Sequence, residues 1–414
     1  MNVNSPEFLE DPYHFYKIRR EQSPVFKANE YIWSITAFDV MAKVLADPAA
    51  GRGNIGQKPQ PGVQAIDTDV LKQNNPALQI LDNWMLFKNP PAHTRLRKLV
   101  QKAFTTKMID QLEPLMRTTM RKLIGNIKAN NPVGHFDLVS TIAYPFPVTV
   151  ICEMIGIPVV DRDRFRAWSQ DFTVAVQSDF QHLDSTSRTR LNQSAIKLGK
   201  YFEELIPVKK RGREDDLMSG LIDAGAGEKG LTEQEIVANC VFLLFSGHET
   251  TTSLITNGIN ALLQHPAQYE RLVSDPSLVV NTVEECLRYD PPIQMVGRYV
   301  IDDFTVDNCH FNRGDHIYAF LGAAGRDPLA NPWPDKFDIN RNHIRHLAFA
   351  RGAHHCLGSA LARLEAKVAF EEILAGIPDL RLAGTGKRRK TWLMRGFDSL
   401  VLHYGGGQHI NSRH

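Results

Sequence analysis

Residues 347–365 read LAFARGAHHCLGSALARLE, and this stretch decides the fold. Cys356 ends a loop, and a helical pattern starts directly after it. Leu357, Leu361, Leu364 and Val368 recur at three- and four-residue spacing, with Arg363, Glu365 and Lys367 between them. A cysteine at a helix start meets free backbone N–H groups and the positive end of the helix dipole. Both lower its pKa and favour the thiolate. Such a thiolate serves as a nucleophile, a redox thiol or a metal ligand. Gly352 and Gly358 flank it, where a backbone must turn tightly or approach a flat ligand. His354 and Arg351 lie just upstream, and Phe349 is placed to shield the sulfur from water. The set suits a thiolate under a large planar metal cofactor with acidic edges.

These residues resemble the signature of the cytochrome P450 haem-thiolate enzymes, F-G-x-G-x-x-x-C-x-G, with A-x-x-L-A-R-x-E nearby. Phe349, Gly352, His354, Cys356 and Gly358 match it, then Leu361, Ala362, Arg363 and Glu365. Ala350 stands at the first glycine, and a positive φ there would strain the loop. The resemblance implies a mainly α fold, a helix-rich domain with a smaller β region. It would span residues 1–404 as one domain, with residues 405–414 a disordered tail. It also implies haem b with Cys356 as the axial iron ligand and Phe349, Gly352, His354 and Gly358 beside it. No C-x-x-C-H is present, in keeping with a haem that is not covalently attached.

The chain has 414 residues, 43% hydrophobic and 23% charged, enough to bury a large core. A formal charge of +2 is too near zero for a general nucleic-acid binder. The five cysteines are scattered without CxxC pairs, so neither a disulfide framework nor a zinc knuckle is expected, and a reducing cytoplasm fits best. The N-terminal MNVNSPEFLEDPYHFY carries acids where a signal peptide needs a basic start. The most apolar run, Cys240 to Phe245, falls far short of the ~20 residues that cross a bilayer. The expectation is a soluble, cytoplasmic monomer that binds no membrane.

Along the chain, a helix from Pro12 to Arg20 precedes strands near Val25 and Tyr31–Thr36, and a helix from Ala37 to Leu45. Residues 46–83 read as irregular, rich in Gly and Pro. A helix begins at Pro90-Pro91 and sets His93 and Arg97 four apart on one face. The family carries H-x-x-x-R here, which assigns both to a haem propionate. Arg95, Lys98 and Lys102 fall on the outer face, where an acidic electron donor would dock. Residues 108–230 look helical, with breaks near 130–134, 156–158 and 212–216; residues 168–186 match the family's pocket lid.

LTEQEIVANCVFLLFSGHETTTSLITNGINALLQHP, residues 231–266, is the second decisive stretch. Thr232 with Glu235 forms a capping box. About 33 residues follow, roughly 50 Å of helix, apolar nearly all round at the middle and hence central. Ser246, Gly247, His248, Glu249 and Thr250 interrupt that middle. A threonine can bond back to the carbonyl four residues earlier and open the helix locally. This resembles the family's A-G-x-[DE]-T, with Ser246 for its alanine, and implies catalytic roles for Glu249 and Thr250 in delivering protons to dioxygen. His248 reads as structural.

Glu285 and Arg288 share a helix face and match the family's E-x-x-R, an ion pair completed by Arg341. Arg298 matches its second propionate arginine. Residues 299–320 read as short strands with a turn at 312–315, and residues 392–404 as a hairpin. By the family's pattern Phe242, Phe245, Ser246, Val296, Phe397 and the 60–85 loop wall the substrate pocket. The implied activity is an O2-dependent monooxygenase acting on an apolar, medium-to-large molecule, free or on a carrier protein. Segments such as MLFKNPP resemble bacterial members that oxidise polyketides, macrolides or fatty acyl chains. NAD(P)H electrons would arrive through a ferredoxin and ferredoxin reductase, or a flavodoxin. Competing readings are peroxide-driven oxidation or C–C cleavage on the same haem, a haem sensor, or a zinc site built from His343, His346, His354, His355 and Cys356.

Overall fold

A computed structural model of the chain describes residues 3–53, 75–130, 134–165, 168, 171–172, 183–225 and 230–405. Its axis is the helix Glu233–Gln264, 32 residues long. The capping box starts it: Thr232 Oγ1 accepts from Glu235 N–H at 3.2 Å, and Glu235 Oε2 accepts from Thr232 N–H at 3.0 Å. From Ile236 to Leu262 most side chains are buried, so the helix must be enclosed on all sides. Helices Pro145–Ile155, Ser185–Arg211, Val279–Tyr289 and Ser359–Gly376 enclose it. Two glycines set the approach. A Cβ on Gly247 would lie 2.7 Å from Ile151, and one on Gly258 would lie 2.5 Å from the Phe370 ring. Neither position has room for a larger residue unless the Ile151 or Phe370 side chain gives way.

The β region flanks this helical body. Its strands are β1 Val25–Asn29, β2 Ile32–Ile35, β3 Ala50–Gly51, β4 Gly134–Asp137, β5 Val296–Val300, β6 Phe304–Val306, β7 Cys309–Phe311, β8 His316–Ala319, β9 Arg381–Leu382, β10 Lys387–Arg388, β11 Phe397–Ser399 and β12 Val401–Tyr404. The main sheet runs β1-β2-β8-β5-β3. Only the β2–β8 pair in it is parallel. Ile35, Val300, Ile317 and Ala319 point into a second core against helix Phe38–Ala46.

Two expectations change. Residues 46–83 are not irregular throughout, because Pro76–Asp82 is a helix with Ala77, Leu78 and Leu81 buried. Residues 54–74 of that stretch, like most of 168–186 and the tail 406–414, lie outside the described residues. The hairpin is formed by β10 and β11, not by residues 392–404. β12 leaves it to pair with β4, whose partners are more than 250 residues away in sequence, so no local pattern announced either pairing. Among the described residues, no helix is long and apolar enough to cross a membrane.

Candidate functional site

The loop before Cys356 is shaped by two residues with positive φ, Ala350 at 55° and Gly352 at 73°. Ala350 N–H donates to the Leu347 carbonyl at 2.8 Å, and Cys356 N–H donates to the Phe349 carbonyl at 2.9 Å. Gly352 does not face the cavity as the family pattern suggested. A Cβ there would sit 2.4 Å from the Leu45 carbonyl oxygen, so glycine lets the loop pass helix Phe38–Ala46. The helix after the cysteine starts at Ser359, with Gly358 as its cap. Cys356 is exposed, but only onto a cavity, and desolvation by the protein around it pushes its thiol up. The Gly358 N–H, then Arg97 and Arg363, pull it down without prevailing. The lowering expected from the helix start is therefore outweighed by desolvation, and the thiolate needs a metal to hold it.

That cavity has a volume of about 580 Å³ and brings together residues from every decisive stretch. Phe349, His354, Cys356 and Gly358 border it from the loop, and His93 and Arg97 from helix Ala92–Ala103. Phe242, Phe245, Ser246, Glu249 and Thr250 border it from the long helix, and Val296 and Arg298 from β5. Phe397 does not. It is 1% exposed, packed under Arg388 with the guanidinium 4.0 Å from its ring centroid. The hairpin places Trp392, Leu393 and Met394 on the cavity instead, because the turn lies farther up the chain than the sequence pattern suggested.

One edge of the cavity is basic. The His93 and His354 rings lie against each other, tilted by 42°, with centroids 4.1 Å apart. Burial, then Arg97 and Arg52, lower His93 to about 4; burial, then Arg52, His93, Arg298 and Arg97, lower His354 to about 2. Arg298 is 3% exposed, and burial first and Arg52 second bring it down to about 9. Its Nε and Nη2 are buried without a hydrogen-bond partner. Arg52, which no sequence motif marked, is fixed by Nε to the Leu86 carbonyl at 3.0 Å and by Nη1 to the Gly297 carbonyl at 2.7 Å. Buried guanidinium groups facing one another need anionic partners. Two carboxylates of a planar cofactor beside Cys356 meet that need, so the residues fit haem.

Across the cavity, the helix carries the hydroxyl-to-carbonyl bond expected of it: Thr250 Oγ1 donates to the Ser246 carbonyl at 3.0 Å. Glu249 is 3% exposed and doubly held. Its Oε2 accepts from Arg389 Nη1 at 2.6 Å, and its Oε1 faces His248 Nε2 at 3.5 Å. Burial raises its pKa, but His248 and Arg389 together prevail and hold it at about 2. His248 is 1% exposed and is structural in placement, with Nδ1 2.7 Å from the Leu244 carbonyl.

Behind the loop, Glu285 and Arg288 are completely buried. Arg288 donates to both Glu285 oxygens, at 2.6 and 2.8 Å, and Arg341 Nε donates to Glu285 Oε1 at 3.1 Å. Arg288 also donates to the carbonyls of Gly325, Pro334 and Lys336, so the loop ahead of the cysteine is tied to this group. Arg95 is not a free docking charge, since it pairs with Glu235 and the Gly230 carbonyl. The zinc reading fails. His346 binds Glu284 at 3.1 Å, His354 lies against His93, and no group of three or more His, Cys, Asp or Glu among the described residues could hold a metal ion.

Comparison with known proteins agrees with this geometry. The cytochrome P450 family model matches residues 72–376. The biotin biosynthesis cytochrome P450 of Bacillus subtilis is 36% identical over 382 residues, covering 92% of each chain. The cytochrome P450 monooxygenase PikC of Streptomyces venezuelae is 33% identical, covering 98% of this chain and 94% of its own. The crystal structure of P450BioI in complex with hexadec-9Z-enoic acid ligated acyl carrier protein superposes with a TM-score of 0.87 at 33% identity, covering 96% of this chain and 99% of that one. With the cysteine loop, the interrupted helix and the buried ion pair in their places, the chain belongs to the cytochrome P450 family.

Proposed function

We propose that this cytochrome P450 monooxygenase inserts one oxygen atom of O2 into an apolar, medium-to-large substrate of fatty-acyl or polyketide type. Its electrons come from NAD(P)H through a separate ferredoxin and ferredoxin reductase, or a flavodoxin. One observation carries the reading: Cys356, the basic edge and the Glu249–Thr250 pair border a single apolar-walled cavity. Haem b, held there, would supply the activation of O2, with Cys356 as its thiolate ligand.

The chain's own groups do the rest. Cys356 would ligate the iron, and Arg298, Arg97, His93, His354 and Arg52 would hold the two carboxylates. With its proton committed to the Ser246 carbonyl, Thr250 Oγ1 presents lone pairs to the cavity. It therefore orients a donor hydroxyl or water there. Glu249, kept ionised at neutral pH, carries a proton only transiently, which suits a relay rather than a store. Such an acid–alcohol pair serves O2 reduction, and neither a peroxide-driven enzyme nor a sensor requires it.

Phe242, Phe245, Val296, Trp392, Leu393 and Met394 wall the cavity. Trp84, fully buried, backs Phe242 and Phe245 with ring centroids 5.1 and 5.6 Å away. Burying apolar substrate surface against such walls is worth about 25 cal/mol per Å². Relatives named for biotin biosynthesis and polyketide biosynthesis support a long acyl or polyketide chain, with carrier-bound delivery as in the acyl carrier protein complex.

The test is turnover under 18O2 with ferredoxin, reductase and NADPH, offering hexadecenoyl acyl carrier protein and a macrolide in parallel. One labelled oxygen in a product of either is expected. Thr250→Ala should lower product per NADPH by about tenfold or more while hydrogen peroxide rises. Unlabelled product, or undiminished coupling in Thr250→Ala, overturns the reading.

A further inference from the structure

The hairpin of β10 and β11 touches the site twice. Its turn presents Trp392, Leu393 and Met394 to the cavity, and its arm carries Arg389, whose guanidinium holds Glu249 from behind. The side chains of Arg389 and Glu249 are 15% and 4% exposed, so this is a largely buried ion pair rather than a surface one. The hairpin is closed at that residue, where Arg389 N–H donates to the Gly396 carbonyl at 3.1 Å. Gly396 lies directly on the long helix: a Cβ there would be 2.5 Å from Ser253 Oγ. Ser253 Oγ in turn donates to the Glu249 carbonyl at 3.1 Å. Both contacts of the hairpin therefore bear on one helical turn. On the pocket side the turn is anchored by Gln294 N–H to the Leu393 carbonyl at 2.9 Å, and by Arg395 N–H to the Pro292 carbonyl at 2.7 Å.

We propose that Arg389 is a positioning residue for the oxygenation. It fixes the Glu249 carboxylate and its charge, and ties both to the hairpin that forms one wall of the substrate pocket. The inference rests on the relay role of Glu249 proposed above. Three groups face that carboxylate or its partner: His248 on the same helix, Arg389 on the hairpin, and Tyr144, whose ring meets His248 edge-on at 5.6 Å. Of these, Arg389 alone brings a permanent positive charge at neutral pH. Without it, burial drives the carboxyl toward its neutral form, which gives up the acceptor the relay needs. Arg389 does not line the cavity, so its guanidinium acts on the chemistry through Glu249 rather than by touching substrate.

The experiment is an infrared pH titration of the haem-loaded enzyme, with the Glu249 band identified by its loss in Glu249→Gln. The wild type should remain a carboxylate down to acid pH. Arg389→Gln should raise the midpoint by about 1–3 units, the usual effect of an adjacent arginine on a carboxyl. Arg389→Lys should restore most of the shift. Gly396→Ala, which lifts the hairpin off Ser253, should move the midpoint the same way, and it serves if Arg389→Gln does not fold.

In turnover with ferredoxin, reductase and NADPH, corrected for the redox proteins alone, Arg389→Gln should raise peroxide per NADPH severalfold. It should add nothing in a Glu249→Gln background. A neutral Glu249 in the wild type at neutral pH overturns the proposal. So does an unshifted midpoint in Arg389→Gln and Gly396→Ala, or an equal effect in the Glu249→Gln background. A peroxide yield unchanged by Glu249→Gln itself would instead strike the relay reading, which the infrared midpoint would then show to be the part at fault.

Discussion

Ala350 adopts a φ of 55°, a conformation that costs an L-residue about 1–2 kcal/mol. Glycine would adopt it freely at the expense of about 0.5–1 kcal/mol of unfolded-chain entropy. Ala350→Gly should therefore stabilise the haem-loaded protein by up to about 1 kcal/mol, read as a rise in thermal midpoint; a fall would mean that the methyl group packs usefully against its surroundings. The strain was legible before any coordinates, because a loop built for glycine showed alanine at one position. So were His93, Arg97, Arg298 and Cys356, each marked by spacing within a motif. Arg52 and Arg389 were not legible. Each is a single arginine in a segment without motif, and its role exists only through residues 34 or more positions distant. Phe397 misled for a related reason: an aromatic in the expected hairpin was placed on the pocket, whereas the register puts it in the strand beside Arg388.

At the scale of elements, the long helix was readable because its signals are local. A capping box, an apolar run and a hydroxyl-rich break all lie within one stretch, and the helix in the structure starts at the capping box and runs through the break to Gln264. The Glu285–Arg288 pair was visible only as a common i,i+3 spacing, and its meaning comes from what converges on it. Glu285 accepts from Arg288, Arg341 and the Asp338 N–H, with no exposure to water. Removing one partner of such a buried pair leaves a charge uncompensated, at a cost of about 3–5 kcal/mol. Arg288→Ala should lower the denaturant midpoint accordingly and release haem, because the carbonyls of Gly325, Pro334 and Lys336, all ahead of Cys356, each lose one hydrogen bond with it. A variant that melts like the wild type and keeps its haem would show that the ion pair is ornamental. The β-strands were the least legible elements. β4 and β12 are four residues each and find their partners across the chain, so burial on assembly defines them more than their own composition does.

For the whole molecule, the decisive feature is that helix-rich and β regions meet around one cavity. A thiol from the loop, an acid and an alcohol from the long helix, and a set of imidazole and guanidinium groups all border it. The burial that depresses His93, His354 and Arg298 also makes that edge a strong site for two carboxylates. The same burial keeps the Cys356 thiol from ionising by itself, so haem binding and thiolate formation are one event. The absorbance spectrum of the haem-loaded protein, reduced with dithionite and exposed to carbon monoxide, tests this most directly. A strongly red-shifted Soret band, present in the wild type and lost in Cys356→His while haem remains bound, is the predicted result. A Soret band at the shorter wavelength of imidazole-ligated haem in the wild type would contradict the account.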